Sequence, residues 1–332
     1  MENKSILKKI TSSREASLVI VLVVLLIVVS VINPSFMTVN NIMEILKNNA
    51  VTLILALGML CVLLVGGIDI SIASTLAFAG MSSGLLIKYG YLSGPLMTPL
   101  AFLIAIAIGV ACGVIVGVIV GYGKVPPIIA TMGGMYIFRA MAYLVGNSQW
   151  AGADALGDFQ NFALGKFLGL NNCIWVVILC YVIFFVVLKW TKFGRNIYAV
   201  GSNAEAAQIS GINVAKVKVE VYAIMGLLSG LCGALATTIY ASAQPNMQTG
   251  KEMDVIAACV IGGVSMSGGR GSVIGALLGA VILAVIGKAL PLVGIDAIAQ
   301  NTVKGILIVA VIILNVITQR TMDRQNLERR EM

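Results

Sequence analysis

Residues 89–123 read YGYLSGPLMTPLAFLIAIAIGVACGVIVGVIVGYG, and the whole stretch carries no Asp, Glu, Lys or Arg. A helix that crosses a bilayer needs about 20 predominantly apolar residues at 1.5 Å each, so this window is long enough. Residues 16–43, 167–188 and 221–250 are equally free of charge, and each window ends in a polar break. Across the 332 residues, apolar side chains make up 59% and charged ones only 11%, and the mean hydropathy is +1.00. Soluble domains carry about 25% charged residues. A large buried core does not call for so few charges. A lipid-facing surface does, because lipid removes the need for a polar exterior. The predicted fold class is therefore an all-α polytopic membrane protein.

The apolar runs predict about ten crossings, with spans at 18–32, 50–66, 69–87, 97–121, 126–145, 174–190, 218–241, 254–267, 273–290 and 302–319. The eighth is too short for a regular crossing and reads as a broken or partly inserted helix. The second and third are separated only by Gly66-Gly67-Ile68-Asp69, which suggests a re-entrant turn. The organisation is an arm at 1–17, a single membrane domain at 18–319 with a loop at 191–217, and a tail at 320–332. The first segment follows a basic arm, as a signal peptide would. Asn33-Pro34-Ser35-Phe36 follows it with no small-x-small cleavage signature, so it reads as an uncleaved anchor.

The net charge of +8 is distributed in a way that sets orientation rather than nucleic-acid binding. One side collects Lys4, Lys8, Lys9 and Arg14, then Lys124, then Lys189, Lys192, Arg195, Lys216 and Lys218, then Arg320, Arg324, Arg329 and Arg330. The other side has only Lys47, Lys88, Lys166 and Lys251. Basic residues favour cytoplasmic loops, so both termini are expected to be cytoplasmic, and the loop at 146–173 to face outside as a cap or a partner surface. Glycines recur four apart at Gly109, Gly113, Gly117 and Gly121, at Gly226 and Gly230, and at Gly275 and Gly279. That spacing lets helix backbones approach closely in lipid.

Much catalytic chemistry is missing. There is no histidine and no C-x-x-C pair among Cys61, Cys112, Cys173, Cys180, Cys232 and Cys259, so no metal site is expected. No G-x-x-x-x-G-K-[ST] phosphate loop occurs, so the chain is expected to hold no Mg-ATP itself and to be no enzyme. A conduit is left, and its energy must come from a partner or an ion gradient.

Against this apolar background a few polar residues stand out. Asp69 and Ser71 sit behind two glycines, where Asp69 either caps the next helix or lines a cavity. Arg139 lies inside an apolar run and either snorkels or pairs with a carboxylate such as Asp254 or Asp154. Asp254 opens the eighth segment, where a helix N-terminus favours an anion. Lys288 and Lys304 lie near helix ends, where snorkelling is the default reading. In the 191–217 loop, Asn203 can cap a short helix starting at Ala204-Glu205 and ending at Gly211. Such a helix is either a free surface element or a docking knob.

Four stretches resemble one family. Gly194-Arg195-Asn196 through Glu205-Ala206-Ala207 and Ser210-Gly211-Ile212-Asn213 is similar to the coupling loop of ABC-importer permeases of the ribose/xylose/galactose family. Gly66-Gly67-Ile68-Asp69-Ile70-Ser71 resembles its G-G-I-D-[LI]-S. Lys124-Val125-Pro126-Pro127-Ile128-Ile129-Ala130-Thr131 resembles its K-V-P-P-F-I-A-T. Asp254 through Ser272 resembles its D-x-I-A-A-x-V-I-G-G-x-S-x-x-G-G-x-G-S. Thr131-Met132-Gly133-Gly134 and Gly287-Lys288 depart from the family pattern. The resemblance implies a bacterial inner-membrane permease that pairs with a second copy or paralogue. A cytoplasmic ABC ATPase would hold Mg-ATP and dock on Asn203, Glu205, Ala206, Ala207 and Gly211. A soluble sugar-binding protein outside would deliver a monosaccharide. Rival readings are another cargo on the same fold (a furanosyl autoinducer, a nucleoside or a branched-chain amino acid), an ion-coupled secondary transporter using Asp69, and a membrane enzyme.

Overall fold

The computed structural model describes residues 14–147, 149–292 and 294–296, with several more between 299 and 313. Residues 1–13, the tail at 320–332 and much of the expected span 302–319 lie outside the described residues, as does Lys304. The helices are α1 (Arg14–Ile32), α2 (Val39–Asn48), α3 (Ala50–Leu64), α4 (Ile72–Lys88), α5 (Met97–Gly121), α6 (Pro127–Val145), α7 (Ala153–Leu156), α8 (Asn161–Leu164), α9 (Asn172–Trp190), α10 (Lys192–Ser202), α11 (Ala204–Ile209), α12 (Val214–Ile239), α13 (Lys251–Ile261) and α14 (Val273–Leu292). A two-stranded antiparallel ribbon, β1 (Lys166–Phe167) and β2 (Leu170–Asn171), precedes α9.

Nine of the ten expected spans coincide with helices. By length and hydropathy six of these helices can cross a membrane alone, and a seventh span forms if α2 and α3 count as one, bent by 51°. The remaining two differ for local reasons. α4 has 17 residues, and α13 has 11, which makes it the broken element expected at 254–267. α2 was not expected. Glu44, Lys47 and three asparagines keep it out of an apolar pattern, yet Thr38 caps it by accepting from the Asn41 N–H at 3.4 Å. Its Glu44 pairs with Lys288 at 3.7 Å, so Lys288 has a partner where snorkelling was expected. Both groups are largely exposed, and such a pair contributes little.

α3 is the axis: all fifteen of its residues are buried. α12 runs antiparallel to it, with Met225 and Leu228 against Gly58 and the Cys232 thiol donating to the Val51 carbonyl. α12 also meets α5 face to face. A Cβ at Gly109 would overlap the Gly226 carbonyl, one at Gly113 the Tyr222 carbonyl, and one at Gly230 the Ala105 carbonyl. α13 and α14 repeat the arrangement through Gly262, Gly275 and Gly279. The glycine spacing does mark backbone-on-backbone packing, the close approach that small residues permit.

At one end the 146–171 segment caps the bundle. Leu156, Phe159 and Ala163 are buried, and Phe102 packs against Phe159 and Phe162 with ring centroids 5.9 and 5.0 Å apart. Ala151 and Ala243 bridge by reciprocal backbone bonds of 3.1 and 2.9 Å. At the other end lie α10, α11, the 262–272 loop and the start of α1, where the Ser272 hydroxyl donates to Glu15 at 3.1 Å.

Gly113→Ala should lower the apparent melting temperature, because overpacking costs about 1–3 kcal/mol. Gly133→Ala should not, since nothing lies within 4 Å of its added Cβ. All six cysteines are buried, so a thiol-reactive dye during a heat ramp reports the transition. Equal midpoints for the two variants would contradict the close-packing account.

Candidate functional site

At the end opposite the 146–171 cap lies the pair α10–α11, of which α11 is exposed along most of its length. Thr191 caps α10 through its hydroxyl, which accepts from the Gly194 N–H at 3.2 Å. Asn203 caps α11, its Oδ1 accepting from the Ala206 N–H at 2.9 Å. Gly211 ends α11 at φ +83°, and the Ile212 N–H reaches back to the Ala207 carbonyl at 3.0 Å. Only a residue without a Cβ adopts that φ freely. The cap, start and stop all stand where the spacing of Asn203 and Gly211 predicts.

Within α11 only Ala207 is buried, and Asn203, Glu205, Ala206 and Gly211 are exposed. Ile209 is 89% exposed. Two residues past Ala207 on a helix is a turn of about 200°, so the anchor faces in and the isoleucine faces out. The sequence reading missed Ile209. Its signal was an isolated large apolar side chain in a helix otherwise made of Ala, Glu and Gln. Beneath α11, a cleft of about 650 Å³ is bordered by Gln208, Gly211 and Asn213 and by Lys124, Pro126 and Pro127. The structure thus joins two motifs more than eighty residues apart in the chain.

α10 is fastened to the bundle core. A Cβ at Gly201 would overlap the Leu64 carbonyl. The Gly269 N–H donates to that same carbonyl at 2.9 Å, and the Tyr198 hydroxyl donates to the Gly271 carbonyl at 2.9 Å. Leu64 is the last residue of α3, and the chain turns immediately beyond it. Gly66 takes φ +74°, and the Tyr222 hydroxyl donates to the Ile68 carbonyl at 3.2 Å. Tyr222 lies about 12 Å along α12 from Val214, at 1.5 Å per residue. The chain then reverses: α3 runs antiparallel to α12, while α4 runs parallel to it, with Gly80 against Gly233 and Gly84 near Thr237.

Asp69 and Ser71 sit in this turn at 3% and 2% exposure. The Asp69 carboxylate accepts from the Ser71 N–H at 2.8 Å and the Ser71 hydroxyl at 2.6 Å. Asp69 therefore fixes the residue that precedes α4 and does not bond the first N–H groups of the helix itself.

Arg139 is in the opposite half of the bundle. Its guanidinium donates to the carbonyls of Pro245, at 2.7 Å, and Met247, at 3.2 Å, and the Glu252 carboxylate lies within electrostatic reach. The sequence left snorkelling or a carboxylate partner such as Asp254 or Asp154; the structure supplies backbone oxygens from the segment leading into α13. Asp254, in the first turn of α13, pairs with Lys251 at 3.3 Å, in the place where a helix N-terminus favours an acid. The expected residues are thus grouped in three places: the α11 tip, the buried turn at Asp69 and Ser71, and the Arg139–Asp254 region. Three buried polar atoms among the described residues have no hydrogen-bond partner: the hydroxyls of Ser74 and Ser229, and Glu252 Oε2.

An apolar helical bundle with six helices long enough to cross a membrane, a buried internal turn and a capped helix at one end is a polytopic membrane protein. Residues 41–315 match the family described as the permease component of branched-chain amino acid transport systems. Among similar proteins, the ribose import permease protein RbsC of Bacillus subtilis strain 168 is 42% identical, covering 89% of this chain and 90% of its own. RbsC of Escherichia coli K12 is 38% identical over 91% and 93%, and the L-arabinose transport system permease protein AraH of the same strain is 34% identical over 90% and 89%. No solved structure matches the chain significantly. The chain belongs to this family of ABC-importer permeases and is a multi-pass protein of the inner membrane.

Gly201→Ala should force α10 off the Leu64 carbonyl. The expected result is uptake reduced about five- to a hundredfold, for a local strain of about 1–3 kcal/mol, with the protein still inserted at normal levels. Uptake assays beside quantitative blots check this, and unchanged uptake would remove the linkage between α10 and α3.

Proposed function

We propose that the chain is the membrane subunit of an ATP-driven importer of a monosaccharide. The exposed, capped helix α11, fastened through α10 to the end of α3, carries this reading. On it, a cytoplasmic ATPase that holds Mg-ATP docks over Asn203, Glu205, Ala206, Ala207 and Gly211, and Ile209 enters a pocket on that partner. Closure of the ATPase pair pushes α10–α11 against Leu64 and the Gly66–Ser71 turn. Two permease subunits then rock between outward- and inward-open forms, the alternating arrangement typical of rigid-body switches. An external binding protein delivers the sugar to the end capped by residues 146–171. Both termini lie in the cytoplasm, at the end where Lys124, Lys189, Lys192, Arg195, Lys216 and Lys218 collect.

The cargo assignment draws on the ribose and arabinose names of the relatives. A branched-chain amino acid is the second reading, because the family description names it. Along the pathway, Asp69 and Ser71 hold the turn, and Arg139 and Asp254 shape the delivery end.

Burying an isoleucine side chain is worth about 1.5–3 kcal/mol, so Ile209→Glu should weaken ATPase docking by at least about tenfold and stop uptake without affecting insertion. Co-purification with the ATPase reads the first effect. Uptake of labelled ribose against labelled leucine, in vesicles holding the ATPase and binding protein, separates the cargoes. Docking and uptake that survive both Ile209→Glu and Ala206→Glu would end the coupling assignment.

Orientation has its own check. With the native cysteines buried, Ser202→Cys and Gln208→Cys should react with an impermeant maleimide in inverted vesicles only. Labelling in intact cells would reverse the topology.

A further inference from the structure

Where α9 leaves the bundle and α14 enters it, a pocket of about 460 Å³ opens between them and α10. Its lining has two characters. Phe185, Leu188, Val273 and Ile274 form an apolar wall, and Lys189, Arg195, Tyr198 and Ser272 form a polar rim. Trp190, the last residue of α9, is 59% exposed, and Ile274, in the first turn of α14, is 46% exposed. An exposed tryptophan at the end of an apolar helix marks the headgroup level of a bilayer. The pocket therefore straddles the boundary between acyl chains and headgroups.

The rim is cationic. The Lys189 ammonium lies over the Phe185 and Trp190 rings, 5.1 and 5.4 Å from their centroids. Arg195 Nη1 donates to the Trp190 carbonyl at 3.3 Å, which leaves its remaining N–H groups free to face the pocket. Among the described residues neither cation is in an ion pair with a carboxylate. The nearby acid is Glu15, which already accepts from the Ser272 hydroxyl.

We propose that this pocket binds an anionic phospholipid. Its phosphate accepts from Lys189 and Arg195, and one acyl chain lies along Phe185, Val273 and Ile274. Basic pockets between membrane helices at the headgroup level recognise lipids in this way. The site adjoins Tyr198 and Arg195 of α10, so an occupied pocket braces the arm that carries α11. The inference rests on the bundle being a membrane protein and is independent of the cargo.

Trp190 is a built-in probe. In the full chain with Trp150→Phe and Trp175→Phe, reconstituted in phosphatidylcholine vesicles, brominated phosphatidylglycerol should quench Trp190 more strongly than brominated phosphatidylcholine at equal mole fraction. Lys189→Gln with Arg195→Gln should weaken the phosphatidylglycerol response roughly thirtyfold, two basic residues at about 1 kcal/mol each. Lys216→Gln with Lys218→Gln should leave it unchanged. Millimolar inorganic phosphate should not relieve the quenching. Equal quenching by the two lipids, as when a second permease copy covers the pocket, overturns the proposal. So does an unaltered response in the Lys189/Arg195 double variant, or relief by phosphate, which would make the site one for a soluble anion. The lipid comparison keeps both cations, so it holds even where the double variant folds poorly.

Discussion

Among the described residues, backbone rests directly on backbone where α5 and α4 meet α12, where α13 meets α14, and where α10 meets the end of α3, and the fold hangs on these contacts. In lipid there is little hydrophobic gain from bringing two apolar helices together, so association depends on close van der Waals approach. Glycine is the residue that permits it. The contact at Leu64 adds a hydrogen bond to the proximity. The final carbonyls of a helix lack intrahelical partners, and the Leu64 carbonyl takes the Gly269 N–H in the space that Gly201, lacking a Cβ, leaves clear.

At that one carbonyl α3, the arm α10–α11 and the 262–272 loop come together. The reversal beyond it explains why a carboxylate is tolerated at 3% exposure. The turn must expose backbone groups inside the bundle, where unpaired ones are costly. Asp69 holds the Ser71 N–H and hydroxyl, and Tyr222 reaches the Ile68 carbonyl. The charged residue is an organiser of irregular backbone before it is anything else.

How much of this could be read from the sequence depended on the range of the signal. Apolar runs located nine helices because lipid imposes a length and a polarity. The α11 boundaries were legible because Asn203 and Gly211 act locally, through a cap and a left-handed turn. The glycine spacing revealed which faces pack closely, although it could not name the partners. α2 escaped because its Asn, Glu and Lys residues erase the apolar pattern while its cap, Thr38, lies outside the run. The partners of Arg139 escaped for a different reason: Pro245 and Met247 offer main-chain oxygens, and any residue type supplies those. Gly201 was quoted among family motifs, but its role is a distance to Leu64, and distance across the fold leaves no trace in spacing.

The same geometry limits how a push on α11 can travel. All of α3 is buried, so it cannot slide without its neighbours α12, α13 and α14. Closely packed elements move as bodies and do not deform continuously. At the Gly66-Gly67 turn beyond α3, Gly66 occupies a region that glycine enters at little cost. On the coupling proposed above, a displacement of α10 would be delivered at one end of this block and reach the turn beside Asp69. Beyond that turn lies α4, which packs on α5, α6 and α12. The Asp69–Ser71 bonds tie it to the start of α4, so a change in the turn would reorient α4 as a unit. On the proposed coupling, the buried carboxylate would have a mechanical place in transport without binding an ion or a sugar.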